Sequence, residues 1–172
     1  QTTGNTWGAF NNLTLNGGTL EAVRASGDAF GSYQISNTAY VTGTSASTIS
    51  TNGAGSIFIN LGLAVNNSPT FTTFDVSDVT SSSATDLTVS TVLANNIATN
   101  FSSFSAAGLI KTGAGTMTLS ANNIYTAGTT VNNGVLEVAG SNSGNSYIRG
   151  TVTVNSGGEL RYTGGDGTGF GF

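Results

Sequence analysis

Two stretches near the C-terminus repeat each other. Thr130-Val131-Asn132-Asn133-Gly134-Val135-Leu136-Glu137 matches Thr153-Val154-Asn155-Ser156-Gly157-Gly158-Glu159-Leu160, with one residue inserted in the turn. The offset is 23 residues at the valine (131 to 154) and 24 at the leucine (136 to 160). A third copy, Thr14-Leu15-Asn16-Gly17-Gly18-Thr19-Leu20-Glu21, aligns Leu15 with Val131 and Leu20 with Leu136. An isolated strand–Asn–Gly–strand unit reads as a hairpin. A repeat of about 23 residues is required by something else: a parallel β-solenoid, in which each coil lays its apolar residues on those of the coil before it. At about 22 residues per coil, the 172 residues predict roughly eight coils, and strand spacing then gives a rod of roughly 40 Å.

Strand patterning supports this. Alternation of apolar with Thr, Ser or Asn recurs at Leu13–Leu15, Ile57–Leu61, Leu87–Val92, Thr116–Ser120, Val135–Val138 and Thr151–Asn155. Period two puts alternate side chains on opposite faces, so one set can line a core while β-branched Thr faces outward without charge. Asn16-Gly17-Gly18, Asn132-Asn133-Gly134 and Ser156-Gly157-Gly158 supply turns. No apolar helical period lasts three turns; only Asn95 to Ala107 is expected to hide a short helical or irregular turn. Pro69 marks a loop, and Ser81-Ser82-Ser83 reads as a turn between coils. The expected organisation is a single all-β solenoid domain over residues 1–172.

Composition decides what such a rod can do. Gly, Thr, Ser and Asn make up 93 of the 172 residues, yet 37% of the chain is apolar and only 7% is charged. Disordered chains combine low hydrophobicity with high net charge, so this one is expected to fold. There is no His and no Cys, which removes the ligands of most zinc, copper and haem sites and both the Ser-His-Asp and Cys-His nucleophiles. Four cationic residues and a net charge of −4 cannot neutralise a nucleic-acid backbone or hold an anionic membrane surface. No apolar run approaches the roughly 20 residues that span a bilayer as a helix. The opening Gln1-Thr2-Thr3-Gly4 carries no export signal, so one is expected to have been removed or never included.

Residues 109–138 carry a more specific pattern. Leu109-Ile110-Lys111-Thr112-Gly113-Ala114-Gly115-Thr116-Met117-Thr118-Leu119 is followed by Tyr125, Gly128, Thr130-Val131 and Asn133-Gly134-Val135-Leu136. This resembles the autotransporter-associated β-strand repeat, also called the passenger-associated transport repeat, whose pattern runs L-x-K-x-G-x-G-x-L-x-L and then T-Y-x-G-x-T-x-V-x-x-G-x-L. Met117 stands where Leu is usual, Ile124 precedes Tyr125 where Thr is usual, and Ala127 enlarges the turn. Phe74-Asp75-Val76 and Asp86–Ser90 resemble what precedes this repeat in large surface proteins. Residues 1–70 join the resemblance only through the Asn16–Glu21 copy. The resemblance implies a right-handed parallel β-helix exported to the surface or exterior of a bacterium. The membrane barrel of autotransporters has no counterpart here, so the chain is expected to be a fragment, a processed passenger, or a user of another route out.

Sites of chemistry are few. Asp75, Asp78 and Asp86 are the one acidic cluster; paired carboxylates on a β-helix face would suit glycoside cleavage, but a three-residue spacing points Asp75 and Asp78 to opposite faces. Solvated turn aspartates are expected. Gly164-Gly165-Asp166-Gly167 resembles a single, misplaced calcium nonapeptide, and a Gly-rich terminal coil is expected. Glu21, Glu137 and Glu159 should face solvent or pair with Arg24, Arg149 or Arg161, since a ladder of like charges is unfavourable. Lys111 is assigned to capping carbonyls at a coil corner. Thr42/Thr44, Thr116/Thr118 and Thr151/Thr153 read as ordinary outward threonines. Trp7, Phe10, Phe30, Tyr33 and Tyr40 are expected to build or cap the core, with a glycan-binding surface as the alternative.

These readings converge on a non-enzymatic, cofactor-free extracellular structural protein of a bacterium, a stalk or self-assembling filament subunit with an adhesive role. The alternative is a secreted β-helix that binds or cleaves carbohydrate. The expected partner is a second copy stacked end to end, or the continuation of a longer chain, with Trp7, Phe10, Leu160 and Tyr162 as contacts. Surface glycans are the other expected partner.

Overall fold

The computed structural model describes residues 8–24, 33–53, 58–62, 69–97, 104–139 and 148–163, and these form strands, turns and bends with no helix. Two parallel sheets carry the architecture. Coil one contributes β1 (Gly8–Asn16) and β2 (Thr19–Arg24), and coil two β3 (Tyr33–Thr42) and β4 (Ser47–Gly53). Coil three contributes β5 (Phe58–Leu61), β6 (Thr70–Val76) and β7 (Thr85–Val89). Coil four contributes β8 (Val92–Ala94), β9 (Asn96–Ile97), β10 (Phe104–Ser105), β11 (Ala107–Thr112) and β12 (Thr116–Leu119). Coils five and six contribute β13 (Gly128–Val131), β14 (Gly134–Val138), β15 (Val152–Val154) and β16 (Gly158–Tyr162). The second sheet takes β2, β4, β7, β12, β14 and β16 in strict chain order, as a parallel β-helix requires.

Strand β3 serves two walls. Its first residues, Tyr33–Ile35, pair with β5, which pairs with β8, while Thr38–Val41 pair with β6. The pairing of β1 with β3 breaks register at the same place, between Phe10 and Asn12. The chain bends there and a third wall closes the early coils.

Core residues stack in columns because parallel pairing sets each inward side chain on its equivalent one coil away. One column runs Leu13–Ala39–Phe74–Lys111–Val131–Val154. Another runs Leu20–Ile49–Val89–Leu119–Val138–Tyr162, beside Leu87–Met117–Leu136–Leu160. Most of these apolar side chains are buried in one continuous cluster. Each Leu, Ile, Val or Phe so buried contributes about 1.5–3 kcal/mol over exposure.

Three expectations change. The described residues make six coils, not about eight, because equivalent positions in the second sheet lie 29, 40, 30, 19 and 24 residues apart (Thr19, Thr48, Thr88, Thr118, Glu137, Arg161). Corner loops absorb the difference. The offsets of 23 and 24 hold where they were read, with Val131 on Val154 and Leu136 on Leu160. The Thr14–Glu21 copy is displaced by two residues: Leu13, not Leu15, stacks in the Val131 column, and Leu20 stacks with Val138. A two-residue shift keeps every side chain on its own face, so alternation cannot detect it. Ser81–Ser83 lie at the corner between β6 and β7, within a coil. Within Asn95–Ala107 the described ends form a short antiparallel pair, Phe104 with Ile97 and Ser105 with Asn96.

Phe74 is fully buried, so Phe74→Ala is expected to cost about 3–5 kcal/mol. Outward Thr88→Ala should stay within about 0.5 kcal/mol. Urea titrations followed by circular dichroism measure both.

Candidate functional site

The most unusual position in the molecule is the corner between β11 and β12. Lys111 follows buried Leu109 by two residues, so the pleat turns it inward, and it occupies the core column between Phe74 and Val131. Its residue is fully buried. The ammonium reaches the corner, where Nζ donates to the carbonyls of Thr112 at 2.7 Å, Gly113 at 2.8 Å and Asn133 at 3.1 Å. Three protons meet three acceptors, two on its own coil and one on the next. The side chain thereby joins coil four to coil five, as the capping role assigned to it anticipates. Burial pushes its pKa from 10.5 down to about 8, opposed by the charges of Asp75 and Asp86. With no exposed surface and every proton engaged, the amine cannot reach a substrate; its chemistry is structural.

The acidic cluster serves the same corner. Asp86 is fully buried, against the expectation of solvated turn aspartates, because two backbone donors hold it: its carboxylate accepts from the N–H of Thr80 and of Thr116, both at 2.8 Å. It is the extra residue where Thr85 pairs with Thr116 and Leu87 with Met117. Asp75 accepts from the Thr112 hydroxyl at 3.2 Å, and exposed Asp78 accepts from the Ser82 N–H at 3.2 Å. Glycines let the coils close in. A Cβ on Gly115 would fall 2.4 Å from the Ser77 carbonyl. Gly134, at φ +65°, would place one 2.5 Å from the carbonyl oxygen of Gly113.

Coil five is plugged by Tyr125, fully buried, its hydroxyl 2.5 Å from the Thr129 Oγ1. Burial raises its pKa well above the ordinary tyrosine value. Asparagines finish the corners: Asn123 Oδ1 accepts from the Leu93 N–H, and Asn95 Oδ1 accepts from the N–H groups of Ala107 and Thr126. Leu109, Leu119, Val131 and Leu136 line the core, and Gly113 and Gly128 hold positive φ at 75° and 105°.

This stretch, residues 109–138, matches the family model of the passenger-associated transport repeat. The chain carries that repeat. In structural terms the repeat is β11 to β14, two corners and two strand pairs, with Lys111 bridging them. The match implies the context of an autotransporter passenger domain. No curated protein and no solved structure matches the chain.

Outside the repeat, the structure distributes the remaining expected residues. Glu137 and Glu159 form no ladder: Arg161 lies 3.6 Å from Glu137 and 3.0 Å from Glu159, while Arg149 donates to the Asn123 carbonyl. Glu21 pairs across the sheet with Ser50. Phe10 stacks on Tyr33 with ring centroids 5.3 Å apart, and Leu160 packs against the core. Trp7, Phe30 and Asp166 lie outside the described residues. Among the described residues no group of three His, Cys, Asp or Glu is placed to hold a metal ion. Sequence reasoning missed a row of four threonines, Thr19, Thr48, Thr88 and Thr118, because their separations are unequal. Thr118 is nearly buried, with its Oγ1 2.7 Å from that of Thr85.

Lys111→Met keeps the packing volume but strands three carbonyls, and is expected to cost about 1–3 kcal/mol at neutral pH. The folded amine titrates near 8 and the unfolded one near 10.5, so the charged form is penalised in the fold. That penalty is fully present below pH 8 and fades as pH rises toward 10.5. Urea midpoints of the wild type should therefore rise relative to those of Lys111→Met across that window. Gly134→Ala, strained in φ and in contact, is expected to lose at least about 1 kcal/mol by the same measurement.

Proposed function

We propose that this chain is a non-enzymatic structural segment of a bacterial protein located outside the cell, a β-helical stalk whose coils serve mechanics and not chemistry. The observation that carries the reading is the passenger-type repeat at residues 109–138, built into a rod whose buried charges are spent on backbone groups. The absence of His and Cys from the sequence agrees with it.

The finer reading is a filament. Among the described residues the column Phe74–Lys111–Val131 stops at Val154, which is 46% exposed although its equivalents on the inner coils are buried. A further coil stacked on β15 and β16 would cover it and pair the edge that no described strand occupies. We assign that coil to a second copy, joined head to tail, a contact that does not close and so produces filaments.

Sedimentation velocity and negative-stain microscopy over a concentration series test this. Rods that lengthen with concentration are expected, and Val154→Lys should shorten them by burying an unpaired charge. Monomers at every concentration would overturn the filament. A reducing-sugar assay on plant and bacterial polysaccharides should stay blank; released ends would overturn the non-enzymatic reading.

A further inference from the structure

The outward face of the first sheet carries more than a solvated surface needs. Register sets Asn12, Thr38, Thr73, Ile110, Thr130 and Thr153 in one row across six strands. The adjacent row holds Thr14, Tyr40, Asp75 and Thr112. Two aromatic rings stand among these hydroxyls, Tyr40 at 38% and Phe71 at 39% exposure. Phe71 pairs with Gly108, and a Cβ there would meet the ring at 2.6 Å, so the missing side chain lets the ring lie down on β11. A ring held that way keeps little freedom to lose when something stacks on it.

Charge narrows the partner. Asp75 is the one ionisable carboxylate in these rows, and it is engaged by Thr112. Lys111 points into the core, Arg149 bonds Asn123 and Arg161 pairs with glutamates on the other sheet. With no cation among the described side chains of this face, nucleic acid, anionic lipid and acidic glycans have nothing to neutralise them. An apolar protein partner calls for a contiguous apolar patch. Here the rings are separated: four residues along the strand and one strand across place them about 14 Å apart, with Thr73 and Asp75 between.

Rings for the apolar faces of sugars and hydroxyls for their edges are what a neutral oligosaccharide uses. We infer that this face binds an extended, uncharged glycan lying from Phe71 to Tyr40. The stretch from Phe71 to Tyr40 lies on β6 and β3, neither of them a terminal coil, so binding does not depend on end-to-end assembly.

Isothermal titration of the full chain with cellopentaose, chitopentaose, laminaripentaose and maltopentaose tests it, with heparin as the anionic counterpart. At least one neutral sugar should bind, with an affinity insensitive to added salt. Tyr40→Ala should weaken that binding about tenfold or more with an unchanged circular dichroism spectrum, since the ring points away from the core. Phe71→Leu, which keeps Gly108 covered, should weaken it too, and Thr88→Ala on the other sheet should not. Failure of all four sugars, binding of heparin alone, or full affinity in Tyr40→Ala would each overturn the inference. Rod length in Tyr40→Ala should match the wild type, which separates this face from the filament contact.

Discussion

Backbone pairing between successive coils is the interaction on which everything else in this molecule depends. Apart from the short β9–β10 pair, a strand of the two parallel sheets has no partner within its own coil; its N–H and C=O groups are satisfied by the coils on either side. Stacking therefore has to be in register, and register places each inward side chain on its equivalent. The apolar columns follow from that geometry. So do the exposed rows of threonine, which carry the sheet's outer surface without charge. Where the chain leaves one sheet for the other, pairing stops, and side chains supply the missing partners. Lys111, Asp86, Asn95 and Asn123 all do this at corners.

Lys111 is the sharpest case because it puts a charge in an apolar column. Removing an ammonium from water costs several kcal/mol, offset here only in part by three charge-assisted hydrogen bonds and by the nearby Asp75 and Asp86. The arrangement has a consequence for specificity. A two-residue slip of one coil preserves inside and outside, so alternation alone tolerates it. It would leave the ammonium away from the Asn133 carbonyl. A buried polar group of this kind selects one register where apolar packing would accept two.

That degeneracy also separates what was legible in the sequence from what was not. The all-β solenoid, the inward and outward faces, the 23- and 24-residue steps and the capping role of Lys111 were all readable, because each rests on period two or on a short local spacing. The number of coils was not. Loops such as Ser77–Ala84 lengthen a coil without disturbing its strands, so only the short last coils show the true step. The first copy stacks two residues away from its apparent alignment, because a two-residue shift leaves the alternation unchanged. In the sequence Asp86 reads as solvated because its neighbours in space, the N–H groups of Thr80 and Thr116, come together only after the corner folds. The aligned faces of Tyr40 and Phe71 depend on a step of unequal length and were equally hidden. A rod built this way separates its tasks: the core and corners set the register, and the long face needs only to stay uncharged and solvated.

The central claim is the register itself, and engineered disulfides test it directly, because the chain has no cysteine of its own. Thr130 and Thr153 are paired residues on neighbouring parallel strands, both outward. Their Cα atoms should lie about 4.8 Å apart, within disulfide reach, whereas Thr130 and Asn155 are one pleat repeat out of step and about 8 Å apart. Under mild oxidation, Thr130→Cys with Thr153→Cys should form the bond nearly completely, and Thr130→Cys with Asn155→Cys should remain reduced. The opposite outcome, or equal bonding in both, would contradict the register on which the columns, the Lys111 corner and the outward rows of the first sheet all rest.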